Sequence, residues 1–265
     1  MARKEAQGLM ALQVKDLTMR FGGITAIENL NFEVEDGTVT SLIGPNGAGK
    51  TSVFNCITGF YKATSGDILF EEQSLINLKP FRITKRGIIR TFQNVRLFKN
   101  MTVLENVMSG THSVTRQGIA GALLRHPAQK REEAEIIKNA EYYLEYVGML
   151  DKKNELAKNL PYGDQRRTEW ARALAAKPKL LLFDEPAAGL NREEKESLVD
   201  LIRGVRKDFG FTVFLIEHDM DLVMKVSEKV IVINFGTKIS EGTPAYVKSD
   251  PKVIEAYLGA EENDR

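Results

Sequence analysis

Apolar and polar residues alternate from Leu30 to Glu35, with Leu30, Phe32 and Val34 on one side and Asn31, Glu33 and Glu35 on the other. A period of two predicts a half-buried strand, and Asp36-Gly37 then supplies a turn. The run from Val39 to Ile43 is mostly apolar, as in a strand covered on both faces. It leads through a glycine-rich loop into a helical segment from Lys50 to Thr58, with Gly59 at the stop. Two more short apolar runs, Leu180–Phe183 and Phe211–Ile216, are each followed by acidic or histidine residues and then a helical pattern. They read as buried parallel strands. Between them Asn191 can cap a helix, with Glu194 at the capping-box position and Leu198, Leu201, Ile202 and Val205 on one face. A strand-helix-strand unit results.

From about Met101 to Gln165 the period changes. Ala134, Ile137, Ala140, Tyr143, Leu144 and Val147 recur at helical spacing among charged residues, which predicts a helical insert within an α/β domain. The charge run Lys130-Arg131-Glu132-Glu133 reads as a solvated face. Gly118–His126 reads as a loop or short helix without assigned purpose, and His112 and His126 carry no assigned chemistry. Asp250-Pro251 opens a short final helix through Tyr257, after which Glu261–Arg265 is expected to fray.

Composition narrows the partners. With 43% hydrophobic and 28% charged residues, 265 residues suffice for a sizeable core. A net charge of +1 provides no field to hold nucleic acid, so any polyanion binds locally. The single cysteine, Cys56, fits a reducing compartment and reads as a small buried apolar residue. Arg3 and Lys4 are not followed by a secretory apolar run, and nothing approaches 18 consecutive apolar residues. The expectation is a cytoplasmic chain that serves a membrane only through partners.

The chemistry gathers at three predicted strand ends. Gly44, Pro45, Asn46, Gly47, Ala48, Gly49, Lys50 and Thr51 match the P-loop pattern, with Ser52 following. Its glycines let backbone N–H groups wrap phosphate oxygens, and the helix N-terminus adds partial positive charge. Lys50 suits the β- and γ-phosphates of ATP, and the Thr51 hydroxyl suits Mg²⁺. Asp184 and Glu185 end an apolar run, at the edge where open α/β sheets bind ligands. Asp184 suits the Mg²⁺ shell through water, and Glu185 a base that orients and deprotonates the attacking water. His218 follows the next run and reads either as a partner of the γ-phosphate or as a surface histidine.

With these residues in place, the chain resembles the ATP-binding cassette family from roughly Leu12 to Gly259. Leu160-Pro-Tyr-Gly-Asp-Gln-Arg-Arg167, placed just before a helix from Glu169 to Ala176, resembles the family's signature loop. The resemblance implies that Tyr162, Gly163, Asp164 and Gln165 face ATP held by an opposite subunit. It implies that Gln93 joins the Mg²⁺ shell and links nucleotide state to membrane subunits. Phe21 occupies the position of the adenine-stacking aromatic, and reads equally as a strand core residue. Ala187-Ala-Gly-Leu-Asn191, with Gly189 and Asn191, is similar to the loop that crosses between subunits. The implied architecture is an α/β P-loop domain with a mostly parallel core sheet, an N-terminal antiparallel β subdomain and an inserted helical subdomain. Residues 12–92 and 166–243 would form the RecA-like ATP-binding core, 93–165 the insert, and 244–265 a C-terminal helix and tail. Residues 1–11 would be a disordered N-terminus.

Pro161 stands where the family usually has serine, Tyr162 for glycine, Asp164 for glutamine, and Asn191 for the crossing loop's aspartate. Pro161 offers neither hydroxyl nor N–H, so contact with the opposite γ-phosphate would fall to Gly163 and its neighbours. The wording Arg90-Thr-Phe-Gln-Asn-Val-Arg-Leu-Phe98, the signature tyrosine, the Ala-Ala-Gly-Leu-Asn loop and the ending Ala256-Tyr-Leu-Gly259 resemble the branched-chain amino-acid importers. The resemblance implies a peripheral subunit on the cytoplasmic face of the cell membrane. Its partners would be a second ATP-binding subunit (a copy or a paralogue), two membrane permeases and, indirectly, a solute-binding protein. Val95, Leu97, Phe98, Met101 and Leu104 either line the permease groove or belong to the core. Alternatives are another cargo (urea, amides or exported lipid) or an ATP-gated regulatory cassette.

Overall fold

A computed structural model describes residues 10–111 and 127–263. Residues 1–9, most of the expected N-terminal tail, lie outside the described residues, as do His112, Gly118–His126 and the last two positions. The expected tail is shorter than 1–11, because strand β1 (Met10–Phe21) begins at Met10, which pairs with Glu35. The chain divides into two compact units, one of residues 10–88 with 179–263 and the other of residues 89–178.

The first unit holds one sheet and, apart from residues 89 and 90, a second. Strands β1, β2 (Ile24–Glu35), β4 (Ser65–Phe70) and β5 (Gln73–Ser74) form an antiparallel sheet in the order β2-β1-β4-β5. The second sheet contains β3 (Val39–Ile43), β6 (Ile88–Arg90), β7 (Leu180–Asp184), β8 (Thr212–Ile216), β9 (Lys229–Asn234) and β10 (Thr237–Gly242). Their order is β10-β9-β3-β8-β7-β6. Strand β3 runs parallel to both β8 and β9, β7 runs parallel to β8, and β10 turns back antiparallel on β9.

The uninterrupted apolar runs have a direct cause: both faces of this sheet are covered. Leu42, Ile231 and Ile233 point into a core shared with the antiparallel sheet and helix α1 (Lys50–Ile57), whereas Ile43, Val230 and Val232 point into a second core. In the first core the Phe214 ring lies 5.5 Å from that of Phe32 and 5.2 Å from that of Phe54. The second core draws on α7 (Met220–Val226), α8 (Pro244–Ser249) and α9 (Pro251–Asn263), through Val223, Val247 and Val253. Helix α8 has no counterpart in the sequence pattern, and α9 runs on to Asn263 instead of stopping at Tyr257. A short helix α2 (Pro80–Lys85) buries Ile83. Helix α6 (Arg192–Phe209) is capped by Asn191, whose side chain accepts from the Glu194 N–H at 3.0 Å while Glu194 accepts from the Asn191 N–H at 2.8 Å.

The second unit is helical. It comprises α3 (Val103–Gly110), α4 (Pro127–Tyr146) and α5 (Tyr162–Ala175), with single 3-10 turns at Leu150–Lys152 and Ala157–Asn159. Ala140, Tyr143 and Leu144 are buried as the helical period requires, although Ala134 is exposed. Arg131 and Glu133 are exposed, the solvated face expected of that charge run.

One correction concerns α5. The signature residues do not precede this helix; they open it, because Pro161 ends the extended chain at φ −55° and ψ 157° and Tyr162 is the first helical residue. Proline has no N–H to leave unpaired there, and Asp164 places an acid in the first turn. The helix is continuous across residues 165 and 166, where the sequence pattern divided insert from core, and the second unit extends to Pro178.

Two substitutions test this architecture by equilibrium urea unfolding. Leu182→Ala, in the fully buried stretch of β7, is expected to destabilise the fold by about 2–5 kcal/mol through the cavity it leaves. Gly49→Ala is expected to cost about 2 kcal/mol or more, since Gly49 has φ 101° and an added Cβ would lie 2.6 Å from the Ala26 carbonyl oxygen.

Candidate functional site

The carboxyl ends of β3, β8 and β7 lie side by side, in the order the sheet imposes. After β3 the chain enters the loop Gly44–Gly49. Gly44 has φ 155°, and a Cβ there would meet the Ile233 carbonyl oxygen at 2.1 Å, so only glycine passes the backbone this close to β9. The loop is held by Ala48 N–H to Pro45 O at 3.2 Å and Gly236 N–H to Ala48 O at 3.0 Å. It delivers Gly49 as the cap of α1, a helix start that no side-chain hydrogen bond caps and whose first amides have no partner within the helix. Asn46, Gly47 and Thr51 are exposed, Pro45 and Ser52 half-buried, and Ala48 and Lys50 buried. The Lys50 ammonium donates to the carbonyls of Gly44 at 2.7 Å and Pro45 at 2.9 Å. Burial lowers its pKa, and the Glu185 carboxylate opposes that shift.

Asp184 closes β7 opposite Ile216 of β8 and is buried. Glu185 follows in a left-handed conformation, φ 47°, with its N–H donated to Ile216 O at 2.9 Å. A non-glycine residue held there stores strain of the kind that gathers at functional sites. The His218 side chain, 60% exposed, brings Nδ1 within 3.8 Å of Glu185 Oε2 and 3.8 Å of Glu217 Oε2. Lys50, Asp184, Glu185 and His218 therefore share one sheet edge, where cation, carboxylates and imidazole can serve a phosphate and a water. The loop Ala187–Asn191 leaves the same edge, with Gly189 and Asn191 exposed.

Phe21 ends β1 and is 42% exposed, not part of the strand core. Its ring meets Tyr61 edge-on at 5.1 Å, an aromatic partner absent from the sequence reading because 40 positions separate the two. Cys56 is buried, and burial pushes its thiol up to about 11, which fits an inert packing residue.

Gln93 and Tyr162–Gln165 belong to the second unit. Gln93 is exposed, and its carbonyl accepts from Arg166 Nη2, while Nη1 donates to Phe92 O at 2.7 Å. Arg166 is fully buried, 3.5 Å from Glu169, and its Nε donates to the Tyr162 hydroxyl at 3.0 Å. Gly163 and Asp164 are buried, and the Asp164 carboxylate meets Lys152 at 2.5 Å and Arg167 at 3.8 Å within its own subunit. Gln165 donates to Leu160 O at 2.8 Å. Of the candidate groove residues, Phe98 and Met101 are exposed while Val95, Leu97 and Leu104 are half-buried. Among the described residues no group of three His, Cys, Asp or Glu could hold a metal, and no helix is long and apolar enough to cross a membrane.

The site meets known proteins at this point. The family described as ABC transporter matches residues 27–188, and that described as Branched-chain amino acid ATP-binding cassette transporter matches residues 237–263. The high-affinity branched-chain amino acid transport ATP-binding protein LivG of Escherichia coli K12 is 48% identical, covering 94% of this chain and 97% of its own length. BraF of Pseudomonas aeruginosa, with the same description, is 46% identical over the same shares. The ADP conformation of an ATP-binding cassette of an ABC transporter superposes with TM-score 0.81 at 31% identity, covering 94% of this chain and 99% of its own. A dimeric cassette in a post-hydrolysis state, bound to ADP and Pi, gives TM-score 0.74 at 26% identity, covering 88% and 98%. With the family match over residues 27–188 and relatives of this similarity along nearly its whole length, the chain belongs to the ABC transporter family of ATP-hydrolysing cassettes.

Proposed function

We propose that this chain is the ATP-hydrolysing subunit of a membrane importer for branched-chain amino acids, peripheral on the cytoplasmic face and acting as one half of an ATP-closed dimer. The meeting of Lys50, Glu185 and His218 at one edge carries the hydrolytic part. The cargo rests on the relatives' descriptions and on the match over residues 237–263.

The amides of Gly44–Gly49 and the Lys50 ammonium receive the β- and γ-phosphates, and Phe21 offers its exposed ring to the base. Glu185 orients a water toward the γ-phosphate and takes its proton, while His218 donates to the phosphate. Hard oxygen donors suit Mg²⁺: it is commonly held by one or two carboxylates, substrate phosphates and water, and the Thr51 hydroxyl with the Asp184 carboxylate supplies that kind of set. Gln93 would join it. When bound, the ion neutralises developing charge on the phosphoryl oxygens.

In the closed dimer, Tyr162, Gly163 and Gln165 from one subunit cover the γ-phosphate held by the other, with the α5 N-terminus directed at it. Asp164 takes a supporting part, its carboxylate being held by Lys152. Gly189 and Asn191 cross between subunits. Phe98 and Met101, both exposed, belong to the permease contact. Dimerisation seen in a related cassette supports the second subunit, itself or a paralogue.

Glu185→Gln is expected to leave ATP binding intact and to slow hydrolysis by about 10²-fold or more, the usual worth of a general base. On a sizing column the variant is expected to become dimeric only with ATP, while wild-type turnover rises faster than linearly with protein concentration. Wild-type turnover by Glu185→Gln would remove Glu185 from that role, and a variant that stays monomeric with ATP would remove the dimer of identical subunits.

A further inference from the structure

Glu217 has no part in the roles assigned above, yet it is the most enclosed acid at the sheet edge, with a side chain 0% exposed. It follows β8 directly. Its Oε1 accepts the Ala187 N–H at 2.8 Å, and its Oε2 accepts the N–H groups of His218 at 3.0 Å and Asp219 at 3.2 Å. One carboxylate thereby ties together two loops that leave different strands: the loop from β7 to α6, which carries Glu185 and Asn191, and the turn from β8 to α7, which carries His218.

The surroundings reinforce the tie. Glu185 N–H donates to Ile216 O, one residue before Glu217, and Lys195 of α6 pairs with Asp219 at 2.6 Å. Burial raises the Glu217 pKa, with the three amides pulling the other way. A buried acid of this kind is costly unless its oxygens are bonded, and here both are.

We propose that Glu217 is a positioning residue for hydrolysis, fixing the spacing between the Glu185–Asn191 loop and His218 so that base, imidazole and subunit-crossing loop reach one γ-phosphate together. The proposal rests on the reading of Glu185 and His218 given above. Small displacements suffice to matter, since misplacement by about 1 Å can cost 10²-fold in rate.

The chemistry of the side chain supplies the probes. Glutamine matches glutamate in volume but offers one acceptor oxygen where two are used, so its NH₂ faces a backbone N–H whichever way the amide turns. Aspartate keeps both oxygens and withdraws them by one methylene. The full chain, alone and in the assembled transporter, would be compared as wild type, Glu217→Gln, Glu217→Asp, His218→Ala and the Glu217→Gln/His218→Ala pair. Thermal melting, affinity for a fluorescent ATP analogue and kcat would be read for each.

Both Glu217 variants are expected to bind the analogue with unchanged Kd, because the phosphate loop is untouched, and to lose about 10- to 100-fold in kcat. The pair is expected to be no slower than the slower single variant, since both changes disturb one arrangement. Wild-type kcat in either folded Glu217 variant would overturn the proposal, and so would losses that multiply in the pair. Should glutamine prevent folding, aspartate decides. His218→Ala at wild-type kcat would sink the His218 assignment instead, a result separate from the kcat of the Glu217 variants.

Discussion

Three strands lying side by side and pointing the same way are the constraint on which the chemistry of this chain depends. Strands β3, β8 and β7 are adjacent and parallel, so the loops that leave them emerge on one edge. Each strand is buried along its whole length, and a slip of one residue would exchange the faces of every side chain it carries. Phe214 makes such a slip costly for β8, being packed against Phe32 of one sheet and Phe54 of α1. The aromatic core thus fixes where Glu217 and His218 emerge.

The second unit solves a similar problem by different means. Its α5 buries charge alongside Trp170 and Leu174: Arg166 reaches the carbonyls of Phe92 and Gln93, and Glu169 accepts the Arg96 N–H at 3.2 Å. Burial raises the Glu169 pKa and lowers that of Arg172, 3.7 Å away, each opposing charge working against the shift. Such groups add little net stability compared with a well-packed apolar core, but they accept few alternative arrangements. The segment of Gln93 is in this way attached to the helix that opens with the signature residues. Asn106 performs the neutral version nearby, accepting the Phe98 N–H at 2.8 Å and donating to Phe98 O at 3.1 Å and Thr102 O at 2.9 Å.

What could be read from sequence follows from these two styles of packing. The strands at Val39, Leu180 and Thr212 were legible because double-sided burial writes an unbroken apolar run, and α6 because Asn191 and Glu194 write a capping box. The start of α5 was not, since its buried positions include Gly163, Asp164, Arg166 and Glu169, and no apolar period announces them. Helix α8 spans only Pro244–Ser249 and buries Val247 alone, too short a signal to stand out. Tyr61 and Glu217 were missed for another reason: each matters through a partner distant in the chain, Phe21 in one case and Ala187 in the other.

The left-handed backbone of Glu185 has a consequence for how such a site persists. Glycine would adopt that conformation freely, so replacing Glu185 by glycine would relax the loop while deleting the carboxylate. Stability and chemistry therefore pull in opposite directions at this one position. With Glu185 as the base proposed above, a drift toward easier folding at this position would carry the chain away from catalysis.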